Sequence, residues 1–153
     1  MRINVPNSRT FSKIFKKAIG ADIVENINGI TTDSREIQKG DLYVAIKGEN
    51  VDGNIFLNDV FKKGALCAIV SELIPDVNGN QIEVSDTVKA IGKVATEWRS
   101  QYDIPVIGIT GTNGKTSTKE LLKHILSSKF DIHATEGNYN TSIGLPLTLL
   151  QLT

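Results

Sequence analysis

Apolar residues recur along the first two thirds of the chain at two spacings that alternate. Helical spacing occurs three times, and a polar residue or a glycine stands near the expected ends of each helix. Short apolar runs lie between the helices, as expected for strands. The three predicted helical faces consist of Phe11, Ile14, Phe15, Ala18 and Ile19, then Phe56, Leu57, Val60 and Phe61, then Val88, Ile91, Val94, Ala95 and Trp98.

The turns and strands between these helices follow from the same pattern. The first helix is expected to take Ser8 or Thr10 as its cap and to end at Gly20. A stretch from residue 30 runs through a strand into a polar turn at 32–35. Alternating strands and helices predict an α/β fold throughout. The remaining strands of this part are predicted at 21–24, 42–46, 65–70 and 82–84.

The second part of the chain contains a strand, a glycine-rich turn and a helix in direct succession. The run IPVIGI at 104–109 has the composition of a strand buried on both faces. TGTNGKT follows at 110–116, and apolar residues then recur at helical spacing over 121–126. This order is typical of a loop that binds phosphate, in which backbone N–H groups surround the anion, Lys115 adds a mobile charge and Thr116 can ligate Mg²⁺.

One position departs from the general phosphate-loop pattern, because Ile109 stands where its first glycine would be. An ordinary strand-to-helix turn is the alternative, and we favour the phosphate loop because a predicted strand and helix flank it. A further strand is predicted at 132–135, followed by a polar loop at 137–146. That loop is interpreted equally well as a ligand site or as a turn before a helix begun by Pro146.

Composition narrows the class of protein. Seventeen basic residues balance seventeen acidic ones, so no field for nucleic acid is expected. No run approaches the roughly 18 apolar residues that cross a bilayer, and the start lacks the apolar core of a signal peptide. The single cysteine, Cys67, lies in an apolar run and is expected to be a buried thiol. These features predict a cytoplasmic protein without membrane insertion or a nucleic-acid partner.

Several polar groups have an ordinary structural interpretation beside a functional one. The sequence TDSR at 32–35 could hold a phosphate or a uracil edge, but its residue types alone favour a turn in which Asp and Ser bond backbone amides. The loop at 48–54 is interpreted as a surface turn. The two histidines have no partner at metal-ligand spacing. Lys119, Glu120 and Lys123 are expected to form the solvated face of their helix.

Together these stretches resemble the Mur ligases, which are ATP-dependent enzymes of peptidoglycan precursor synthesis. The resemblance rests on TGTNGKT at 110–116, TDSR at 32–35, GDLYVAIKG at 40–48 with DG at 52–53, and TEGNYN at 135–140 with IGLPLTLL at 143–150. It implies a small α/β domain over 1–102 that binds the UDP-linked substrate and, over 103–153, the beginning of an ATP-binding P-loop domain. We therefore expect the front part of a longer protein.

The resemblance also implies a reaction and its residues. Stretches 135–140 and 143–150 are most similar to the member that adds D-Ala-D-Ala to UDP-N-acetylmuramoyl-tripeptide, using ATP and Mg²⁺ to activate the carboxylate as an acyl phosphate. A monomer is expected. Lys115 is the implied catalytic residue, and Thr116 the implied metal ligand. The implied ATP-binding residues are Gly111, Thr112, Asn113, Gly114, Lys115, Thr116 and Ser117, and the implied UDP-substrate residues are Thr32, Asp33, Ser34, Arg35, Asn138, Asn140 and Thr141.

This chain departs from the family pattern in two ways. Asn54 stands where the family more often has His, and the family's acidic metal ligand and later lysine are absent. The chain is therefore not expected to catalyse alone. Two alternatives stay open, namely the third-step ligase that adds lysine or diaminopimelate and a non-catalytic module that binds a UDP-sugar or a nucleotide.

Overall fold

The structure, a computed structural model, describes residues 1–23, 26–48, 51–137 and 141–153. These residues contain one mixed sheet of five strands in the order β1–β2–β3–β4–β5. β1 pairs antiparallel with β2, and the other pairings are parallel. The predicted α/β class is therefore confirmed. The strands are β1 (Arg2–Asn4), β2 (Gly29–Thr31), β3 (Leu42–Val44), β4 (Cys67–Val70) and β5 (Gln81–Glu83).

Helices cover both faces of this sheet. On one face α1 packs against α3, and α3 also contacts α5. A short 3-10 helix, Gly53–Phe56, leads into α2, which covers the other face. α4 begins directly after the glycine-rich turn and has no buried residue. The helices are α1 (Ser8–Ile19), α2 (Leu57–Lys62), α3 (Thr87–Arg99), α4 (Lys115–Ser127) and α5 (Gly144–Leu149).

The central strands contribute side chains to both hydrophobic cores, because alternate residues face opposite sides of the sheet. Leu42 and Val44 of β3 belong to the core under α1 and α3, whereas Tyr43 belongs to the core under α2. Successive side chains of a strand point to opposite faces, so a strand between two helical layers must be apolar at every position. The predicted runs at 42–46 and 65–70 are confirmed as such strands, although each is shorter than predicted.

The cap of α1 differs from the prediction. Asn7, and neither Ser8 nor Thr10, caps α1, and its Oδ1 accepts a hydrogen bond of 3.0 Å from the Thr10 amide. A cap must have an extended backbone for its side chain to reach the first turn, and Asn7 has φ −142° whereas Ser8 is already helical. The predicted stop at Gly20 is confirmed, because it ends α1 in the left-handed conformation.

The strand predicted at 21–24 is wrong over the residues that the structure describes, since 21–23 form no strand and Val24 lies outside them. One edge of the sheet is β1, a strand that was not predicted, and an ion pair between Arg2 and the buried Asp41 secures it. The Arg2 guanidinium donates to both carboxylate oxygens of Asp41, at 2.7 and 2.8 Å. The Asp41 side chain is fully buried and also accepts from the Gln38 amide at 2.9 Å. This pair joins the first residues of the chain to the start of β3.

The strands predicted at 104–109 and 132–135 are wrong. Both stretches are irregular, and Val106 and Ile107 are 66% and 60% exposed. A buried parallel strand needs partners at its edges and cover on its faces. No described strand lies beside either stretch, so their apolar composition has no sheet to enter.

The segment around α5 belongs to the same core as the front sheet. Leu147, Leu150 and Leu152 are buried with α1 and α3 in one cluster. The Trp98 indole nitrogen and the Tyr102 hydroxyl both donate to the Leu152 carbonyl oxygen, at 3.1 and 2.8 Å. The domain boundary after residue 102 stays a prediction, and the core of the front part draws side chains from beyond it.

The structure also bears on two features that composition raised, namely the burial of Cys67 and the presence of membrane-spanning helices. Cys67 lies in β4 with no exposed surface, and burial raises the pKa of its thiol to about 12, so it is the buried thiol that was predicted. Among the described residues, no helix combines the length and the apolar composition that crossing a membrane requires.

We expect Arg2→Met to lower the free energy of unfolding by about 3 kcal/mol, because it leaves the Asp41 carboxylate buried without its cation. Urea denaturation measures this change. Arg9→Met, which removes an exposed arginine of α1, is the matched control and should change stability by less than about 0.5 kcal/mol. Equal effects of the two substitutions would show that the ion pair does not secure β1.

Candidate functional site

The glycine-rich turn leads into α4 with an open helix start. Gly111 and Gly114 have φ values of 148° and 77°, which residues with a Cβ rarely adopt. Gly114 is the N-cap of α4, so no side chain caps the helix, and the first turn contains no acidic residue. The free N–H groups and the helix dipole therefore favour an anion at this position.

Two side chains complete this turn, which we call the nucleotide loop (residues 110–117). The Lys115 ammonium folds back and donates to the Gly111 carbonyl at 2.5 Å, so the cation lies over the loop. Thr116 is exposed beside it. The remaining predicted residues of this loop are also at the surface: Gly111, Thr112, Asn113, Gly114 and Ser117. The structure thus brings together every residue that was predicted to bind ATP.

The predicted UDP-binding stretch 32–35 forms a turn stabilised by its own side chains. Asp33 accepts a hydrogen bond of 2.9 Å from the Arg35 amide, as expected for an Asx turn. Its carboxylate also accepts three bonds from the Arg35 guanidinium, at 2.9, 3.2 and 2.6 Å. Lys63 donates to the Ser34 carbonyl at 2.7 Å. The turn that the residue types favoured is therefore observed, with Asp33 bonding a backbone amide. The Arg35 side chain nevertheless remains 86% exposed to solvent.

The pKa values of Asp33 and Tyr43, at this edge of the sheet, are shifted in opposite directions by different causes. The side-chain hydrogen bond from Arg35, then the backbone hydrogen bond from its amide, holds the pKa of Asp33 well below its usual range. Burial, then the charges of Asp33 and Asp52, raises the pKa of Tyr43 to about 12. Tyr43 therefore stays protonated and donates to the Gly53 carbonyl at 3.1 Å. The Tyr43 bond holds Gly53 near β3, and β3 pairs in parallel with β2, whose carboxyl end leads into stretch 32–35.

Asn54 is a polar residue of this edge whose environment the sequence did not reveal. It is buried, and its Nδ2 donates weakly to the Ser71 hydroxyl at 3.3 Å. Its Oδ1 is also buried and has no hydrogen-bond partner among the described residues. An unpaired buried acceptor is costly unless a ligand or water satisfies it. The sequence showed only that Asn54 stands where the family more often has His, which did not indicate that the side chain is buried.

The stretch after 132–135 gives a mixed result. Asn138 and Asn140 lie outside the described residues. Thr141 is exposed, and its hydroxyl accepts a bond of 3.0 Å from the Gly144 amide.

The expectation that Lys119 belongs to the solvated helix face is wrong, because its side chain is only 17% exposed and donates to carbonyl groups at 135 and 137. Lys123, one turn further, is exposed as expected.

A polar cavity of about 280 Å³ lies beside residues 132–136 and is lined by none of the predicted site residues that the structure describes. Met1 forms one wall, and its carbonyl accepts from the buried Thr31 hydroxyl just before stretch 32–35. Lys123 of α4 and residues 132–134 also line it. A wider open groove of about 730 Å³ lies around Lys39 and Lys62–Leu66, at the amino ends of the strands, and contains none of the predicted site residues.

The described residues provide no complete metal centre. Within the described ranges, no cluster of three or more His, Cys, Asp or Glu side chains could hold a metal ion. The Thr116 hydroxyl at the start of α4 is an oxygen of the kind that Mg²⁺ accepts beside nucleotide phosphates. The donor set therefore fits a magnesium ion carried mainly by a nucleotide, and it does not fit an ion held by the protein alone.

Two family models match this architecture. The model described as "Mur ligase family, catalytic domain" matches residues 26–99, and the one described as "Mur ligase middle domain" matches residues 109–153. They include both stretch 32–35 and the nucleotide loop. The chain belongs to the Mur ligase family.

Within the family, the chain is similar to one particular enzyme. It is 41% identical over 134 residues to UDP-N-acetylmuramoyl-tripeptide–D-alanyl-D-alanine ligase of Escherichia coli, covering 88% of this chain and 29% of that protein. The structure of MurF from Acinetobacter baumannii matches with a TM-score of 0.86 at 36% identity, covering 93% of this chain and 33% of that one. The chain thus spans about a third of the length of these relatives.

A second and a third solved structure extend the comparison. MurF ligase from Thermotoga maritima in complex with ADP matches with a TM-score of 0.74 at 35% identity, covering 79% of this chain and 28% of that one. A UDP-N-acetylmuramoyl-L-alanyl-D-glutamate–2,6-diaminopimelate ligase matches with a TM-score of 0.55 at 18% identity, covering 98% of this chain and 33% of that one. The last likeness shows the fold alone.

We expect Arg35→Gln to raise the pKa of Asp33 towards its ordinary value of about 4, because the side-chain bond that lowers it is lost. Since the folded-state pKa is depressed, the pair stabilises the protein fully above about pH 4 and loses this effect as the pH falls further. Carboxyl chemical shifts followed by NMR measure the change. Arg9→Gln is the control, and an identical Asp33 titration in both variants would contradict the pairing.

Proposed function

We propose that the protein provides the front part of an ATP-dependent ligase that adds D-Ala-D-Ala to UDP-N-acetylmuramoyl-tripeptide. The observation that carries this proposal is the open start of α4 behind two left-handed glycines, with the Lys115 ammonium over the loop. It occurs in a chain 41% identical to an enzyme of that name. The chain spans less than a third of that enzyme, and the proposal therefore assigns to it only the binding of ATP and of the UDP-linked substrate.

The nucleotide loop is assigned to ATP. Its backbone N–H groups and the N-terminus of α4 would surround the phosphates, and Lys115 would exchange its bond with the Gly111 carbonyl for one with a phosphate oxygen. Mg²⁺, held by the Thr116 hydroxyl and the nucleotide, would neutralise phosphate charge when bound. The complex of the Thermotoga maritima relative with ADP supports this assignment.

Stretch 32–35 is assigned to the UDP part of the second substrate. Arg35 is free enough to reach a diphosphate, since its guanidinium is exposed and held only by Asp33. Ser34 and Thr32 add neutral hydrogen-bonding groups. Thr141, with Asn138 and Asn140, is assigned to the part of the substrate that lies towards the nucleotide loop.

The reaction in this proposal has two balanced steps. A carboxylate oxygen of the tripeptide attacks the γ-phosphorus of ATP, which gives an acyl phosphate and ADP. The D-Ala-D-Ala amine then attacks the acyl carbon, loses a proton and expels phosphate, which gives the amide. Lys115 acts as the catalytic residue, because its charge stabilises the negative charge that develops on the bridging and transferred oxygens.

Two alternatives are weighed against the same observations. The ligase that adds lysine or diaminopimelate is disfavoured because the diaminopimelate ligase shares 18% identity with the chain, against 36% for the Acinetobacter baumannii MurF. A module that binds a UDP-sugar or nucleotide without chemistry is favoured by one observation, namely that the described residues include both binding loops but no cluster of acidic metal ligands.

We expect Lys115→Met to weaken MgADP binding to the chain roughly tenfold or more, because a charge-assisted hydrogen bond to phosphate is lost. Titration calorimetry measures the affinity. Lys123→Met removes an exposed lysine of the same helix and should leave the affinity within about twofold. If wild type and Lys115→Met bind MgADP equally, or wild type does not bind it, the nucleotide assignment is wrong.

A chimera tests the ligase itself. We expect the Escherichia coli enzyme to keep ligation of D-Ala-D-Ala when this chain replaces its matching segment, and Lys115→Ala in the chimera to reduce turnover on the order of 100-fold or more. Lys123→Ala in the same chimera is the control. Product analysis with D-Ala-D-Ala, lysine and diaminopimelate as competing amines separates the alternatives. A chimera that binds both ATP and the UDP-linked tripeptide but forms no amide would favour the alternative of a binding module without chemistry.

A further inference from the structure

Lys119 lies one helical turn beyond Lys115 on α4, and its environment is unusual for a surface lysine. Its side chain is 17% exposed, and the ammonium contacts three oxygen atoms. It donates to the Thr135 carbonyl, to the Gly137 carbonyl at 3.4 Å and to the Glu120 carboxylate at 2.8 Å. An ammonium has three N–H donors, so these acceptors account for all of them.

The two carbonyl groups belong to a stretch with few other attachments. Residues 131–137 form no strand and make no backbone–backbone hydrogen bond to any other described residue. His133 adds one contact, between its Nε2 and the Thr148 carbonyl at 2.7 Å. Lys119 therefore supplies the direct polar attachment of this stretch to the helix of the nucleotide loop.

The geometry of Lys119 distinguishes it from the other lysines of α4. Lys115 points into the nucleotide loop and Lys123 is exposed, whereas Lys119 reaches sideways to a segment 16 to 18 residues later. The Glu120 carboxylate also accepts from this ammonium, and the hydrogen bond from Lys119 lowers the pKa of Glu120. A cation held by a carboxylate and two carbonyl groups has one preferred position, so it can set the distance between α4 and residues 135–137.

We propose that Lys119 is a positioning residue that fastens residues 135–137 to α4. Through the His133 contact with Thr148, the same stretch is joined to α5, whose Gly144 amide bonds the Thr141 hydroxyl, so Lys119 places Thr141 relative to the nucleotide loop. The inference rests on the proposed function, in which Thr141 contacts the substrate part that lies towards the phosphates. Lys119 itself touches neither the loop glycines nor stretch 32–35 in its described contacts. Its loss should therefore affect the muramoyl-peptide part of the substrate and leave the UDP part bound.

The experiment compares wild type with Lys119→Met, which keeps the length of the side chain, Lys119→Arg, which keeps its charge and donors, and Lys123→Met as the matched control. ¹⁵N relaxation of the ligand-free chain first reports the backbone order of residues 135–137. Titration calorimetry then gives the affinities for UDP and for UDP-N-acetylmuramoyl-tripeptide, and the ratio of the two measures the contribution of the muramoyl-peptide part.

We expect order parameters near 0.8 at residues 135–137 in wild type and below about 0.6 in Lys119→Met. The affinity ratio should fall about tenfold in Lys119→Met, the factor for one charge-assisted hydrogen bond, and recover in Lys119→Arg. UDP affinity should stay within about twofold in every variant, since stretch 32–35 is untouched.

The outcomes separate the two proposals. A wild-type chain that fails to bind UDP contradicts the UDP assignment, while the order parameters still show whether Lys119 fixes residues 135–137. If UDP binds and Lys119→Met behaves as Lys123→Met in both readouts, Lys119 is not a positioning residue. Equal affinities of wild type for UDP and the UDP-linked tripeptide would also overturn the inference, because no contact from Thr141 would remain to be placed.

Discussion

A buried parallel strand must be paired at its edges and covered on both faces, and this requirement decides which part of the chain has a core. β3 and β4 are only three and four residues long, yet every residue of both is buried. They are stable because β2 and β5 flank them and helices cover both sides. Stretch 104–109 has similar apolar composition but lacks such partners among the described residues, so it stays irregular.

The second part of the chain is attached to the front core through α5 and the Leu152 carbonyl that follows it. The Leu152 carbonyl oxygen accepts from both Trp98 and Tyr102, at the end of α3. These bonds and the buried side chains of α5 hold that helix against the front core. α4 has no comparable anchor and buries none of its side chains. The position of the nucleotide loop therefore depends on α5, on residues 132–137, which contact α5 through His133, and on the Lys119 contacts that join these residues to α4.

Elements that depend on local sequence were predictable, and those that depend on distant partners were not. The helical faces from Phe11 to Trp98 needed only spacing, and the nucleotide loop needed only one turn and the helix that follows. β1 has three residues and no readable alternation, and it is secured by Asp41, 39 residues away. Lys119 looked solvated because no local pattern shows that carbonyl groups of a later segment surround its ammonium. Composition at 104–109 suggested burial but could not show whether partner strands exist.

The two candidate binding loops differ in what a ligand must displace. At the nucleotide loop, Lys115 bonds only a neutral carbonyl, and the free N–H groups of α4 have no competing side chain. At stretch 32–35, a diphosphate must take Arg35 from Asp33, which is itself negative. The pair is exposed, so solvent screens it and its loss costs little. Asp33 keeps its bond from the Arg35 amide, so the turn persists while the guanidinium moves. The Asx turn is therefore compatible with UDP binding, because it fixes the backbone from which Arg35 reaches the ligand.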